Sequence, residues 1–258
     1  MRMETITRKS MLYKTGVEYG DYTLNHVLGC SHGCKYPCYA FLQKKRFGVV
    51  KTYEDWIKPK LVSNALELLE KEIPKLKDKI KSVHLCFSTD PFPYQYPEIG
   101  AMSFEIIKML NDAGIKCVVL TKGLLPLKLA KLSEKNEYGI SLVSLDENFR
   151  QKYEPNTAPY ERRITALENL RDAGCKTWVS MEPYPTPNIV EQSLSWIITE
   201  LWWINKLVFG RWNYNKLVSQ YKAHNAFYSE CIDTVKDICT HYEIEYLIKE
   251  GTAIENVD

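Results

Sequence analysis

No stretch of the chain approaches the ~20 consecutive apolar residues that a bilayer-crossing helix needs, so no membrane partner is expected. The first residues, Met1-Arg2-Met3-Glu4-Thr5, lack the apolar core of a secretory leader, and the expected compartment is the cytoplasm. An excess of one charge is missing too: 34 basic residues stand against 32 acidic ones, a net of +2. That excludes a bulk electrostatic pull toward nucleic acid and leaves only a local basic patch open. There is no low-complexity tract, no short repeat and no linker long enough to divide the chain. His26, His84, His224 and His241 show no metal-ligand spacing. What remains is an ordinary globular composition: 258 residues, 45% hydrophobic and 26% charged, able to bury a core without covalent staples.

Cysteine, by contrast, is plentiful. In a reducing compartment eight cysteines read as thiols or metal ligands rather than disulfides. Three of them, Cys30, Cys34 and Cys38, fall within nine residues in the run Gly29-Cys30-Ser31-His32-Gly33-Cys34-Lys35-Tyr36-Pro37-Cys38-Tyr39-Ala40. A cubane iron–sulfur cluster normally takes four thiolates. Three with no obvious fourth leave one iron open to a small-molecule ligand. The competing reading is a structural zinc site, which needs a fourth ligand such as His32.

Elsewhere, β-rich runs alternate with helical ones. Strands are predicted at 23–27, 82–87, 116–121, 139–144, 176–181 and 205–210, with a short last one at 245–248. Helices are predicted at 102–113, 125–133, 160–173, 189–201 and 225–241. Strand–helix alternation with short connections means βαβ units and a parallel sheet, and strands apolar on both faces suit helices packed over them. About six such units give an α/β fold, a partial (β/α)6 TIM-type barrel of parallel strands. Ligands then bind at the C-terminal strand ends, where Thr89, Asp90, Thr121, Lys122, Ser144, Ser180, Glu182 and Arg211 stand. Residues 1–258 read as a single domain, its core at about 20–215 and a C-terminal helix and strand in 216–258.

The cysteine loop and the strand ends together resemble the radical S-adenosylmethionine (SAM) superfamily. Its usual motif is C-x3-C-x2-C with an aromatic beside the third cysteine; here the spacing is C-x3-C-x3-C, with Pro37 taken as a one-residue insertion. Further stretches are similar to the spore-photoproduct-lyase-like branch: Ser88-Thr89-Asp90-Pro91, Leu120-Thr121-Lys122, Ser144-Leu145-Asp146, Glu154-Pro155-Asn156-Thr157-Ala158-Pro159 with Arg162-Arg163, and Val179-Ser180-Met181-Glu182-Pro183. The resemblance spans about residues 20–215. It implies a radical SAM enzyme in which a reduced [4Fe–4S] cluster cleaves S-adenosyl-L-methionine to methionine and a 5′-deoxyadenosyl radical. That radical then takes hydrogen from a substrate, the cofactor carrying the hard chemistry. It also implies an electron donor such as flavodoxin or ferredoxin.

Residue roles follow from that resemblance and from side-chain chemistry. Cys30, Cys34 and Cys38 ligate iron. Ser88, Thr89 and Asp90 accept from the cofactor ammonium, and Lys122 binds its carboxylate as a compact cation. Ser144 and Arg163 are further candidates for ribose or carboxylate, and Tyr39 for the adenine. Cys86 is the candidate catalytic hydrogen-atom donor. It stands four residues before Asp90, where the lyase cysteine stands three before the matching aspartate, and at period two that turns its thiol to the opposite strand face. Arg211, Trp212, Asn213 and Tyr214, just past a strand end, combine stacking rings with groups that read bases or phosphates. The first functional reading is therefore action on a nucleic-acid base, in repair or modification. The alternatives are a radical SAM enzyme for a peptide or small metabolite, and a zinc-stabilised, non-catalytic binding module.

Overall fold

A computed structural model of the chain describes residues 3–17, 20–36 and 38–253; Pro37, the expected insertion, lies outside them. In chain order the strands are β1 (Thr5–Ile6), β2 (Tyr13–Lys14), β3 (Tyr22–Leu24), β4 (Val27–Leu28), β5 (Lys60–Val62), β6 (Ser82–Leu85), β7 (Lys116–Thr121), β8 (Glu137–Ser141), β9 (Lys176–Tyr184), β10 (Lys206–Arg211) and β11 (Glu245–Ile248). Eight of them form one sheet in the order β11-β10-β9-β8-β7-β6-β3-β2. All its pairings are parallel except that of β2 with β3. The sheet is a partial barrel, with β2 and β11 as its edges.

The apolar alternation explains how the sheet is covered. Val119, Val179 and Leu207 belong to the large core under the helices, while Val118, Trp178 and Val208 cluster on the other face, the two-residue period of strands buried on both sides. Helix Pro97–Asp112 starts with proline at its first turn, where no backbone donor is lost, and buries Ile99, Ile106, Ile107 and Leu110. Helices Tyr160–Asp172 and His224–His241 cover β8–β9 and β10–β11 respectively.

Strands β7 and β11 match their expected limits. Others shift, and two shifts affect the site. β6 ends at Leu85 rather than at residue 87, because Cys86 adopts a left-handed backbone conformation (φ 53°). β8 runs Glu137–Ser141, so Ser144 lies beyond the strand end. The helix expected at 125–133 is only a 3-10 turn, Leu127–Lys131, entered from Pro126. The helix expected from residue 189 starts at Leu194, where the Ser193 hydroxyl caps it by accepting from the Trp196 amide. A small sheet, β1-β5-β4, was not anticipated. It packs beside the cysteine loop, Val62 N donating to the His26 carbonyl.

Candidate active site

The cysteine loop leaves β4 through Gly29, and its fold is dictated from both sides. At φ 89° a Cβ on Gly29 would lie 2.6 Å from the Trp56 carbonyl, so only glycine lets the chain pass. The next amide, Cys30 N, donates to that same carbonyl at 2.9 Å. Asn156 N donates to the His32 carbonyl at 3.1 Å, and Lys35 N to the Tyr153 carbonyl at 2.8 Å. Asn156 Nδ2 donates to the Ser31 carbonyl (3.1 Å) and Tyr53 Oη to the Cys34 carbonyl (2.5 Å). The loop is thus held by the segment after helix Glu147–Tyr153 and by the Tyr53–Trp56 turn. Cys38 then leads into helix Tyr39–Arg46.

All eight cysteines are free thiols. Cys30, Cys34 and Cys38 line a cavity of about 470 Å³ at the C-terminal strand ends. Burial pushes the Cys34 thiol up to about 12 and raises Cys30 and Cys38 as well. Neutral thiols in such surroundings become ligands when a metal's charge replaces the missing solvent. Among the described residues no three His, Cys, Asp or Glu side chains converge on a single ion. Three thiols on one cavity match three iron corners of a cubane and leave the fourth open. The donor set fits the cluster.

Of the other expected site residues, Tyr39, Cys86, Ser88, Thr89, Asp90, Lys122, Arg211, Trp212, Asn213 and Tyr214 all line this cavity. Their surroundings differ. Asp90 accepts from Thr121 Oγ1 (2.6 Å), Phe92 N and Lys122 N (both 2.8 Å), and its Oδ2 lies 2.6 Å from His32 Nε2. A carboxylate has about four acceptor sites, so protein partners occupy all of them. Burial raises the Asp90 pKa, but these partners, His32 foremost, hold it below its usual value. Its visible task is to anchor the cysteine loop through His32, which is buried and not a solvent-facing turn residue. Ser88 Oγ donates to Asn25 Oδ1 at 3.0 Å and Thr89 Oγ1 approaches the same atom at 3.4 Å. Tyr39 Oη donates to the Phe87 carbonyl at 2.5 Å.

Lys122 Nζ donates to Glu154 Oε1 at 2.5 Å and lies 4.6 Å from the Tyr36 ring centre. Glu154 also accepts from Tyr36 Oη (2.8 Å) and from Arg163 Nη2 (3.0 Å). Burial alone would raise its carboxyl, but Lys122 and then Arg163 outweigh it and hold it down to about 2.

Two expected residues are not brought to the cavity. Arg163 is fully buried, and its guanidinium donates to the Ala158 and Ser141 carbonyls, to Thr157 Oγ1 and to Glu154. Ser144, also buried, accepts from Asp146 N at 3.1 Å. It falls away because β8 stops at Ser141; Ser141 and Ser180 line the cavity instead. Among the rim residues, Trp212 is a packing ring, edge-on to Tyr36 at 5.2 Å and to Tyr153 at 5.4 Å, with its indole N–H unpartnered. Arg211 Nε donates to Asn213 Oδ1 at 2.7 Å, and Tyr214 is 80% exposed.

Cys86 differs from its expectation in an instructive way. Strand alternation would point its thiol away, but the strand has already ended and the left-handed turn carries Cys86 to the cavity wall. Sγ lies 3.3 Å from His26 Nδ1, His26 Nε2 lies 2.9 Å from Ser103 Oγ, and Ser103 Oγ donates to the Pro91 carbonyl at 2.5 Å. The single hydroxyl hydrogen of Ser103 is committed to a carbonyl, so Nε2 must be the donor and Nδ1 the acceptor. Cys86 then donates its S–H to His26. Burial lowers the His26 pKa to about 4 and pushes the Cys86 thiol up to about 12, keeping both neutral. Asn25, His26, Ser103 and Glu154 were not assigned roles from sequence. Asn25-His26 directly after β3 carried a usable signal, because polar strand ends face the mouth.

A barrel mouth that gathers three thiols, a lysine and a row of strand-end hydroxyls is a site for a sulfur-ligated metal group with an organic cofactor beside it. The chain belongs to the radical SAM superfamily, whose family model matches residues 24–196. Members of that superfamily are enzymes that use a [4Fe–4S] cluster and S-adenosylmethionine. An uncharacterized protein of Acidianus two-tailed virus is 29% identical over 192 residues, which cover 69% of this chain and 61% of the relative. One from Methanocaldococcus jannaschii is 26% identical over 189 residues, covering 72% and 68%. The chain thus spans about three fifths to two thirds of the length of these relatives. Among solved structures, spore photoproduct lyase complexed with dinucleoside spore photoproduct shares the fold (TM-score 0.66, 14% identity, 95% of this chain and 80% of that one). Streptococcus suis SuiB bound to S-adenosylmethionine does so too (TM-score 0.57, 16% identity, 88% and 46%). Among the described residues no helix is long and apolar enough to cross a membrane.

Proposed function

We propose that this protein is a radical SAM enzyme acting on a nucleic-acid base, with the whole described chain serving as one catalytic domain. The observation that carries the proposal is the convergence of the three thiols, Lys122 and the Arg211–Tyr214 rim on one cavity. In this reading Cys30, Cys34 and Cys38 hold the [4Fe–4S] cluster. When bound, the cluster and S-adenosylmethionine supply a 5′-deoxyadenosyl radical by one-electron cleavage of the cofactor.

The remaining work belongs to the chain. Lys122 receives the cofactor carboxylate with the N–H donors that Glu154 leaves over, a charge-assisted contact in a water-poor site. Ser88 and Thr89 present hydroxyl oxygens to the ammonium, with Asn25 fixing their direction. Asp90, its acceptor sites engaged, keeps the loop and the strand ends in register. Tyr39 stands beside the adenine. Cys86, on the cavity wall, gives its S–H hydrogen atom to a carbon-centred substrate radical, forming a C–H bond and leaving a thiyl radical, with His26 and Ser103 keeping the resting thiol protonated. Arg211, Asn213 and Tyr214 take the substrate at the rim.

Spore photoproduct lyase, seen in complex with dinucleoside spore photoproduct, matches over 80% of its chain and SuiB over 46%, which favours the nucleic-acid reading over a peptide. The test starts from anaerobic reconstitution. Cys34→Ala should abolish 5′-deoxyadenosine formation under reducing conditions, and production equal to wild type would refute the cluster assignment. Binding of a DNA or RNA oligomer should weaken steeply with salt; no binding at low salt moves the substrate to the peptide or small-metabolite class.

A further inference from the structure

The two-residue period of the strands decides which side chains reach the mouth from the late half of the sheet. Val118, Trp178 and Val208 cluster on one sheet face, with Leu120 and Leu247 packed against them. Stepping by two along that face leads from Trp178 to Ser180 and Glu182, from Val208 to Gly210, and from Leu247 to Lys249. Strands β10 and β11 are paired in register, and Lys249 N extends their ladder by donating to the Phe209 carbonyl at 2.9 Å. Leu120, Ser180, Glu182 and Lys249 all line the large cavity. Lys249 lies beyond residues 24–196, the span that the family model matches.

Between Glu182 and Lys249 stands a residue without a side chain. A Cβ on Gly210 would lie 3.0 Å from Glu182 Cγ and Cδ and 3.2 Å from Lys249 Cγ. Glycine here lets two side chains from the flanking strands close in over β10. Their charged ends stand 4.0 Å apart, Lys249 Nζ from Glu182 Oε2, with the side chains 19% and 31% exposed. That spacing exceeds the ~3.2 Å limit of a direct hydrogen bond, so ammonium and carboxylate are neighbours in the cavity wall rather than a closed pair. A carboxylate has about four acceptor sites and an ammonium about three donors, so the contacts each keeps within the protein do not exhaust either.

We propose that Glu182 and Lys249 together read the substrate base and select guanine, a selection that rests on the nucleic-acid function proposed above. The pair presents one donor and then two acceptors, the ammonium followed by the two carboxylate oxygens. The matching edge offers an acceptor followed by two donors. Among the nucleobases that edge is guanine's: O6 faces Lys249, and N1–H and N2–H face Glu182. Uracil and thymine end in a carbonyl that would meet a carboxylate oxygen. Adenine lacks the second donor, and cytosine runs donor first and then two acceptors. A carboxylate in the wall also argues against a phosphate subsite at this place. Arg211, whose Nε donates to Asn213 Oδ1 at 2.7 Å, stands at the rim for the backbone phosphates.

The test measures binding to the reconstituted full chain by fluorescence anisotropy. The probes are single-stranded DNA oligomers and their RNA counterparts, identical except for one central base: guanine, adenine, cytosine, thymine (uracil in RNA) or hypoxanthine. The guanine oligomer should bind about tenfold or more tighter than those with adenine, cytosine, thymine or uracil, and hypoxanthine, which lacks N2–H, should fall between. Glu182→Gln and Lys249→Met should each cut the guanine preference to about threefold or less and leave the other affinities within about twofold. Lys249→Arg, which keeps a cationic donor, should restore the preference. A purely structural pair would instead lower the melting temperature and weaken every oligomer alike. Equal binding of all the bases by the wild type, an unchanged guanine preference in both variants, or a parallel loss for every base would overturn the proposal. A wild-type protein that binds no oligomer at low salt overturns the nucleic-acid function beneath it instead.

Discussion

Glu154 is the residue on which most of the site's polar framework closes. It is 1% exposed and meets Lys122, Arg163 and Tyr36. Glu154→Gln leaves a fully buried guanidinium without its counter-charge and should cost about 3 kcal/mol or more, read as a lower urea midpoint. The acid limb of stability should change with it. The folded pKa of about 2 lies below the ordinary 4.5, so the carboxylate stabilises the fold above pH 4.5 and that contribution is lost as pH falls toward 2. In Glu154→Gln the loss over that interval should shrink, and an unchanged acid limb contradicts the assignment. The thiol triad was legible in the sequence because its members are neighbours in the chain. The partners that aim the site were not, because His32 meets Asp90 across 58 positions and Tyr36 meets Glu154 across 118.

At the scale of elements, the alternation of strand and helix was readable because parallel strands and their covering helices each leave a strong periodic signal. Chain ends of elements were not, since a left-handed residue such as Cys86 or a cap such as Ser193 leaves no mark on periodicity. The sheet β1-β5-β4 escaped for the same reason, its strands being two or three residues long. One of the contacts that hold the cysteine loop would be disturbed by a single methyl at Gly33. At φ 63° a Cβ on Gly33 would lie 2.9 Å from Asn156 Nδ2. Gly33→Ala should therefore destabilise the protein by about 1–2 kcal/mol and reduce the iron retained after reconstitution. Full iron content at wild-type stability would show that the loop tolerates the shift.

For the molecule as a whole, two buried histidines set the response to mild acid. Burial lowers His26 to about 4 and His84 to about 3, from an ordinary 6.5. The unfolded chain takes up protons below pH 6.5 while the folded chain does not, so stability should decline as pH falls from about 6.5 toward 4. Melting temperatures across pH 7 to 4 check this, and a flat profile would contradict it. The barrel mouth supplies the other global property. Glu154 Oε1 takes both the Lys122 ammonium and the Tyr36 hydroxyl, which ties the cofactor half of the cavity to the cysteine half through one atom. A ligand drawing Lys122 outward alters the hold on the sulfur-bearing loop, and a metal group seated in that loop alters what Lys122 can offer. On the roles proposed above, each occupant would change the other's affinity by the same factor, and calorimetry of S-adenosylmethionine binding with and without reconstituted iron and sulfide checks this.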